Sequence, residues 1–291
     1  MSGSGSAAGF GLLAATTWSG SDFVGGVGAR RSPALLVVAS GQILSLFLLL
    51  GLCRGLHAAL PGYAPLLYSA VGGFEGALSL AIFYRALAMG AMGMTAALTG
   101  LLTALVPVLF SLFHEGLPTP VAGVGLALGL VAIWLITHTP AGKGAGLDRA
   151  GTLPAGTPRL PLLLGALAGV GFGAQLILLK MAGSGGVLWV MTSTRAAGVL
   201  SLVIVLVVMP PKAPWRGFWL TGIVAGSLDT VGNLFYIEAT RAGRLDVAAI
   251  VCSMYPAGTI LLAAVVLREW PTVRQLTGMA LALGAVALLS V

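Results

Sequence analysis

Runs of about twenty apolar residues recur along this chain, and their length is the feature that most restricts its fold. A helix of that length crosses the roughly 30 Å hydrocarbon core of a bilayer. Turn-forming residues separate the runs, for example Pro61, Gly62 and Pro65 between the second and the third. The pattern predicts ten membrane-spanning helices, at about 7–27, 33–53, 64–89, 92–114, 119–138, 161–182, 187–209, 216–241, 244–268 and 271–290.

The composition supports this assignment. Hydrophobic residues make up 58% of the 291 positions, charged residues only 8%, and the mean hydropathy is +1.02. A soluble domain needs a more charged exterior. The net charge of +7 comes from basic residues scattered between the apolar runs, which is typical of contact with lipid headgroups and argues against a nucleic-acid partner.

The amino terminus predicts a retained first span. Its first ten residues contain no Lys or Arg, whereas a cleavable signal peptide begins with a basic segment. We therefore expect a multi-pass protein of the cell (plasma or inner) membrane.

Residues 140–160 differ from the rest of the chain. They are rich in Gly, Pro and Thr and show no apolar periodicity, so they predict a flexible linker. This linker divides the chain into residues 1–139 and residues 161–291, with five predicted spans in each half.

The two halves resemble each other at an offset of 153 or 154 residues. Polar residues carry the comparison because they are rare here: Gln42 matches Arg195, Glu75 matches Asp229, and Glu115 matches Glu269. Glycine and aromatic matches support the same offset: Gly11 with Gly165, Trp18 with Phe172, and Gly90 with Gly243. Since five is odd, the second half must cross the membrane in the opposite direction. An inverted repeat of this kind is a common plan of secondary transporters.

Several motifs resemble the ten-span EamA-type members of the drug/metabolite transporter superfamily. The segment 243–291 carries Tyr255-Pro256, Glu269 at the end of the ninth span, and Gly278 in the tenth. The segment 18–24 resembles the family's first-span Trp-Gly-Ser-Asn-Phe-Val element, and Arg195 is similar to the family's seventh-span Arg. The resemblance implies an all-α bundle of two inverted five-helix repeats that exports, or less often takes up, small metabolites.

The chain also departs from the family pattern. Asp22 stands where Asn is usual, and Gln42 where the first repeat often has Arg. Pro107 precedes Glu115 by eight residues, whereas Pro256 precedes Glu269 by thirteen. We therefore expect the fourth span to bend at a different height from the ninth.

Charged residues inside the spans are the first candidates for function, because a charge near the bilayer centre needs a partner or a wet cavity. Asp22 either faces a central cavity, where it contacts a cation or takes up a proton, or caps a bend. Arg195 has the planar fork that suits a carboxylate solute, or it neutralises Asp22 or Glu75. The charged residues within the predicted spans are Asp22, Glu75, Arg85, Arg195, Asp229 and Glu238.

Two pairs of these residues are related by the repeat. Glu75 and Asp229 predict a substrate or proton-coupling role, with hydrogen bonding between helices as the structural alternative. Arg85 and Glu238 have opposite charge, so they form an ion pair if the two-fold axis brings them together; Arg85 could instead reach the interface.

Aromatic and amide side chains could line an amphipathic cavity, although they more often pack between helices or anchor at the interface. We include Trp18, Asn233, Tyr236 and Tyr255 as candidate substrate-binding residues. Glu115 and Glu269 are interpreted as end caps or gate contacts.

Enzyme and cofactor signatures are absent from the sequence. It has no phosphate-binding loop, and His57, His114 and His138 lack metal-ligand spacing. Cys53 and Cys252 are isolated in apolar segments. We expect no enzymatic activity, no cofactor and no metal.

The sequence therefore predicts a secondary transporter of small, amino-acid-like or organic solutes that works by alternating access. Buried acids favour proton coupling over facilitated diffusion. The alternatives are a channel-like cation pathway and a membrane interaction protein that transports nothing; a homodimer also stays open.

Two indications of the membrane orientation disagree. Nine basic residues lie on the side of the linker and four on the side of the termini, so the positive-inside rule places both termini outside, whereas the family resemblance places them inside.

Overall fold

The computed structural model describes most of the chain as helix. The described residues are 2–29, 32–88, 92–137, 159–183, 186–210, 217–262, 265–266 and 272–289. The predicted linker, residues 140–160, lies outside them except for its last two residues, 159 and 160, which begin α6. The helices are α1 (Ser2–Ala29), α2 (Ala34–Gly55), α3 (Tyr63–Ala88), α4 (Met92–His114), α5 (Pro120–Thr137), α6 (Arg159–Ala182), α7 (Val187–Val208), α8 (Phe218–Ala242), α9 (Leu245–Cys252), α10 (Tyr255–Leu262) and α11 (Val273–Leu289).

Each of the ten predicted spans contains a helix, and the ninth contains two. A turn at Ser253 and Met254 separates α9 from α10, immediately before Pro256. A proline has no N–H to donate and disfavours helical geometry in the residue before it, so the prediction of one continuous helix at 244–268 was wrong at this point. By contrast, α4 continues through Pro107.

Many of these helices are suited to a bilayer by length and apolarity. Within the described residues, five stretches are long and apolar enough to cross one, and three shorter apolar stretches accompany them. The long stretches are Ala34–Gly55, Tyr63–Phe83, Leu162–Ala182, Val187–Val208 and Phe218–Ala242; the short ones are Thr99–His114, Pro120–Leu135 and Leu276–Leu289.

Large apolar side chains point outward. Phe47, Val207 and Leu283 are each about two-thirds exposed or more. Several polar side chains are buried instead, among them Ser45, Thr194 and Ser201. This distribution suits a lipid surround, because hydrocarbon solvates apolar side chains but offers no hydrogen bonds to polar ones.

Helix contacts join the two halves of the chain. α1 packs mainly on α8, α3 on α6 and α7, α2 on α7 and α8, α4 on α6 and α9, and α5 on α11. The bundle has two ends, which are called here the linker end and the termini end. The linker end holds the C-terminal ends of α1 and α5 and the N-terminal ends of α2, α6 and α8. The termini end holds the start of α1 and the end of α11.

Glycines allow two of these contacts to be close. An added Cβ on Gly41 of α2 would overlap the carbonyl oxygen of Gly222 and lie 2.8 Å from the Cα of Gly226. An added Cβ on Gly73 of α3 would lie 2.6 Å from the Cα of Thr194. Small residues of this kind let helix backbones approach in lipid.

The α2–α8 contact predicts a difference between two glycines of one helix. Gly41→Ala forces the helices apart and should destabilise the protein by about 1–3 kcal/mol. Gly51→Ala is the matched control, since an added Cβ there has no atom within 4 Å, and it should be neutral or stabilise by about 0.5–1 kcal/mol. Thermal unfolding in detergent measures both, and equal midpoints for the two variants would contradict the packing.

Candidate functional site

A cavity of about 70 Å³ lies between α1, α2, α3, α7 and α8. It is smaller than typical pockets for drug-sized ligands, which measure about 300–1,000 Å³, and it has room for several water molecules. Its lining residues are Ser21, Asp22, Gly25, Val37, Val38, Gln42, Leu80, Arg195, Ala225, Gly226 and Asp229.

The cavity lies toward the linker end of the bundle. Ser21 of α1 donates a hydrogen bond to the carbonyl oxygen of Ala225, 2.9 Å away. Nearer the end, two turns later on α1 and one turn earlier on α8, an added Cβ on Gly28 would lie 2.8 Å from the Cβ of Thr221. The last turns of α1 and the first turns of α8 therefore enclose the cavity together.

Arg195 is the centre of the polar network in this cavity. It is only 3% exposed. Its Nη1 donates to Gln42 Oε1 at 3.0 Å, and its Nη2 lies 2.6 Å from Asp229 Oδ2. Thus the repeat mates Gln42 and Arg195 touch, and the acid that neutralises Arg195 is Asp229. The Nε of Arg195 is buried and has no hydrogen-bond partner among the described residues.

Asp22 has no such partner. It is exposed in the cavity, and within the described residues no basic side chain pairs with it. The cavity contains two carboxylates and one guanidinium, so pairing Arg195 with Asp229 leaves one negative charge. A negative, partly enclosed site attracts a cation.

The predicted aromatic residues form a packed cluster beside this cavity. The Trp18 ring lies 6.0 Å from that of Tyr236 and 6.3 Å from that of Tyr255, centroid to centroid. Tyr236 is fully buried and donates to the Leu176 carbonyl oxygen at 2.8 Å. Asn233 Nδ2 donates to the backbone oxygen of Asp229 at 2.8 Å. None of these four residues lines the described cavity, so their contact with a solute stays a prediction.

Glu75 lies elsewhere, on the face of α3 that packs against α6. Ser79 Oγ donates to Glu75 Oε1 at 2.6 Å. An added Cβ on Gly171 of α6 would overlap both Oε1 and Ser79 Oγ. Although Glu75 and Asp229 are repeat mates, the structure places only Asp229 in the cavity.

Of the predicted pair Arg85 and Glu238, the structure describes only the side chain of Glu238. The Arg85 side chain lies outside the described part of the structure. Glu238 pairs with Arg241 of the next helical turn, with 2.9 Å between Oε1 and Nη1, and Arg241 Nε also donates to the Gly183 carbonyl oxygen at 2.6 Å. The Arg85–Glu238 contact therefore remains a prediction.

A second polar network closes the termini end. Glu115, just after α4, binds Lys180 of α6 and accepts hydrogen bonds from Ser111 at 2.8 Å and from the backbone N–H of Leu245 at 3.0 Å. The last bond caps the start of α9, where a negative charge is favourable. Glu115 thus joins the two halves of the chain; Glu269 lies outside the described residues.

Arg244 extends this network, although no motif or spacing in the sequence distinguishes it from the other basic residues near span ends. Its Nη1 donates to the Glu115 carbonyl oxygen at 3.1 Å, and its Nη2 to that of Gly116 at 2.7 Å. Gly116 has a φ of +78°, which favours glycine and turns its carbonyl toward Arg244. Asp246, fully buried, lies 2.9 Å from Arg244 Nη2.

No metal centre is visible at either network. Within the described ranges, no group of three His, Cys, Asp or Glu side chains is arranged to hold an ion.

The Glu115 network predicts a pH dependence. Burial raises the pKa of Glu115, but hydrogen bonds from Lys180, Ser111 and Leu245 outweigh burial and hold the pKa below its usual 4.5. A carboxyl with a lowered folded-state pKa stabilises the fold fully above pH 4.5, and this contribution is lost as the pH falls through the folded-state value. Between about pH 6 and pH 3, wild type should lose thermal stability more steeply than Glu115→Gln. Parallel profiles would contradict the network, and Asp148→Asn, in the linker segment, is the control.

The ion pair of Arg195 and Asp229 predicts that substitutions at the two positions have non-additive effects on the free energy of unfolding. Asp229→Asn leaves a buried guanidinium uncompensated, which costs about 3–5 kcal/mol for a fully buried pair. Because Asp229 is 36% exposed, we expect a smaller loss of about 1–3 kcal/mol. Adding Arg195→Met to Asp229→Asn should recover part of that loss in detergent unfolding, whereas strictly additive effects would contradict the pair.

Comparisons with known proteins agree with this architecture. A crystal structure without a functional description matches 97% of this chain over 96% of its own length, with a TM-score of 0.74 and 20% identity. At that identity the likeness shows the fold alone. No curated protein matches the chain. The model of the EamA-like transporter family matches residues 159–291. The second half of the chain is therefore similar to the EamA-like transporter family, and the described apolar helices are those of a multi-pass membrane protein.

Proposed function

We propose that the chain is a secondary transporter of the cell membrane that exports small solutes carrying a protonated amino group. The observation that carries the proposal is the unpaired carboxylate of Asp22 in the cavity beside the neutralised pair of Arg195 and Asp229. A protonated amine bound at Asp22 would complete the charge balance of the cavity. The small volume favours solutes of amino-acid or simple amine size.

The proposal includes an inverted repeat of residues 1–139 and 161–291, supported by contacts that occur in matched pairs. α1 packs on α8 as α6 packs on α3, since the first span matches the sixth and the third matches the eighth. At residue level, the contact of Gly41 with Gly226 has its counterpart at an offset of 153 in that of Thr194 with Gly73.

The two ends of the bundle support alternating access. The cavity lies toward the linker end, whereas Glu115, Lys180 and Arg244 tie the two halves together at the termini end. Rocking of the halves about the cavity would break this network while closing the linker end. Export, rather than uptake, follows the activity that the family resemblance implies.

Transport by the purified protein tests the proposal. Proteoliposomes are loaded with an equimolar mixture of the twenty standard amino acids and simple diamines, and efflux is measured by mass spectrometry. We expect selective efflux of amino-bearing solutes that accelerates when the same solute is present outside. Asp22→Asn should raise the solute concentration needed for half-maximal transport by about 10- to 100-fold, as expected for loss of a charge-assisted hydrogen bond.

The alternatives give different results. Asp148→Asn is the matched control for the same chemical change and should transport like wild type. Non-saturating flux with electrical conductance and no acceleration by external solute would indicate a channel. Absence of any solute movement would favour an interaction protein, and unchanged kinetics in Asp22→Asn would contradict the role of Asp22.

A further inference from the structure

Glu75 occupies a second polar site, separate from the solute cavity. It lies near the middle of α3, where the α3 backbone packs on α6. One carboxyl oxygen accepts the hydrogen bond from Ser79, and the other, Oε2, is buried and has no hydrogen-bond partner among the described residues. An orphaned carboxylate oxygen inside a membrane bundle is costly if it is charged.

No cation among the described side chains compensates Glu75. Of the helices packed against α3, α6 carries Lys180, which is bound to Glu115, and α7 carries Arg195, which is bound to Gln42 and Asp229. α2 and α4 carry Arg54 and His114, both at the termini end and both exposed. On α3 itself Arg85 follows by ten residues, about 15 Å along the helix.

The space around the Glu75 carboxyl exists because of glycine. Gly171 of α6 lies against Ser79 and Glu75 of α3, since an added Cβ there would overlap both Ser79 Oγ and Glu75 Oε1. In the α1–α8 contact the Trp18 ring packs on Gly232, so one contact holds an aromatic ring and the other holds a carboxyl and a hydroxyl. The amide of Gln175 lies against Gly76 and adds a polar neighbour.

We propose that Glu75 is the site that binds the coupling proton, distinct from the solute site at Asp22. In the state described here the carboxyl is neutral and carries one proton. When the halves rock and water reaches the α3–α6 contact, Glu75 releases this proton and becomes a carboxylate. It takes up another from the opposite side on return, so that one proton moves inward for each solute exported. The proposal rests on the transport function proposed above.

α3 provides the physical connection between the two sites. Leu80, five residues after Glu75, lines the solute cavity. Ala77 and Gly73 face Gly198 of α7, where an added Cβ would also lie 3.4 Å from Gln42 Oε1. A shift of α3 relative to α6 would therefore move the wall of the cavity and the helix that holds Arg195.

Infrared spectroscopy tests protonation without any knowledge of the solute. Difference spectra of purified wild type, recorded during a pH titration, should show the carbonyl-stretch band of a protonated carboxyl group. Glu75→Gln should remove that band, whereas Asp22→Asn and Asp148→Asn should retain it. Persistence of the full band in a folded Glu75→Gln variant, with folding checked by circular dichroism, would overturn the proposal.

Transport separates coupling from binding. An imposed pH gradient should make wild type accumulate the amino-bearing solutes by about tenfold per pH unit for one proton exchanged. Glu75→Gln, a mimic of the neutral form, should lose this accumulation while keeping solute exchange at equal pH. Gradient-driven accumulation equal to wild type would refute Glu75 as the coupling site.

The Asp22→Asn test of the solute site and the Glu75→Gln test of the proton site can fail separately. If Glu75→Gln loses coupling while Asp22→Asn has normal kinetics, the solute site is wrong and the proton site stands. If Asp22→Asn loses binding while Glu75→Gln couples normally, the reverse holds. Gly171→Ala, whose added methyl would overlap both Glu75 Oε1 and Ser79 Oγ, should shift the infrared band, and an unchanged band would count against the site.

Discussion

A guanidinium buried in a lipid-embedded bundle must be neutralised where it lies, because an uncompensated charge there costs several kcal/mol. Arg195 meets this requirement through Gln42 of α2 and Asp229 of α8, so one side chain of α7 joins helices from both halves. The glycine contacts serve the same arrangement, since Gly41 lets α2 approach α8 closely enough for both partners to reach Arg195. Arg195 and the two residues that satisfy it, Gln42 and Asp229, thus form the polar part of the cavity wall together with Ser21 and Asp22.

On the proposed repeat, the differences between the halves are informative. Two arginines at positions 42 and 195 would repel each other at the contact, whereas Gln42 offers an oxygen that accepts from Arg195. A second difference lies between the α1–α8 and α6–α3 contacts: the Trp18 ring fills the first, and Gly171 leaves room for the Glu75 carboxyl in the second. Asp229 and Glu75, the predicted repeat mates, therefore lie in different environments, one beside a cation and one without a cation among the described side chains.

Apolar length and turn residues were sufficient to predict the helices, and the scarcity of polar residues was sufficient to single out Arg195, Asp22 and Asp229. The sequence did not indicate which acid would neutralise Arg195, because lipid-facing helices are apolar on several sides and their periodicity does not say which face meets which neighbour. The break at Ser253 also escaped prediction, since Pro107 shows that a proline alone need not interrupt a span. The ties of Arg244 to the carbonyl oxygens of Glu115 and Gly116 depend on a left-handed turn that no side-chain pattern marks.

Four acids of this bundle occupy distinct settings: Asp229 beside a guanidinium, Glu115 in a network with Lys180 and a helix start, Asp22 in a cavity, and Glu75 against glycine. A single acid that bound both solute and proton would exchange them by direct competition and need no mechanical link. Two separate acids require one, because occupancy of the first must alter the surroundings of the second. α3 touches both sites through Leu80 and Glu75 and reaches Arg195's helix through Gly73, so on the proposed division the coupling depends on α3 moving as a rigid element.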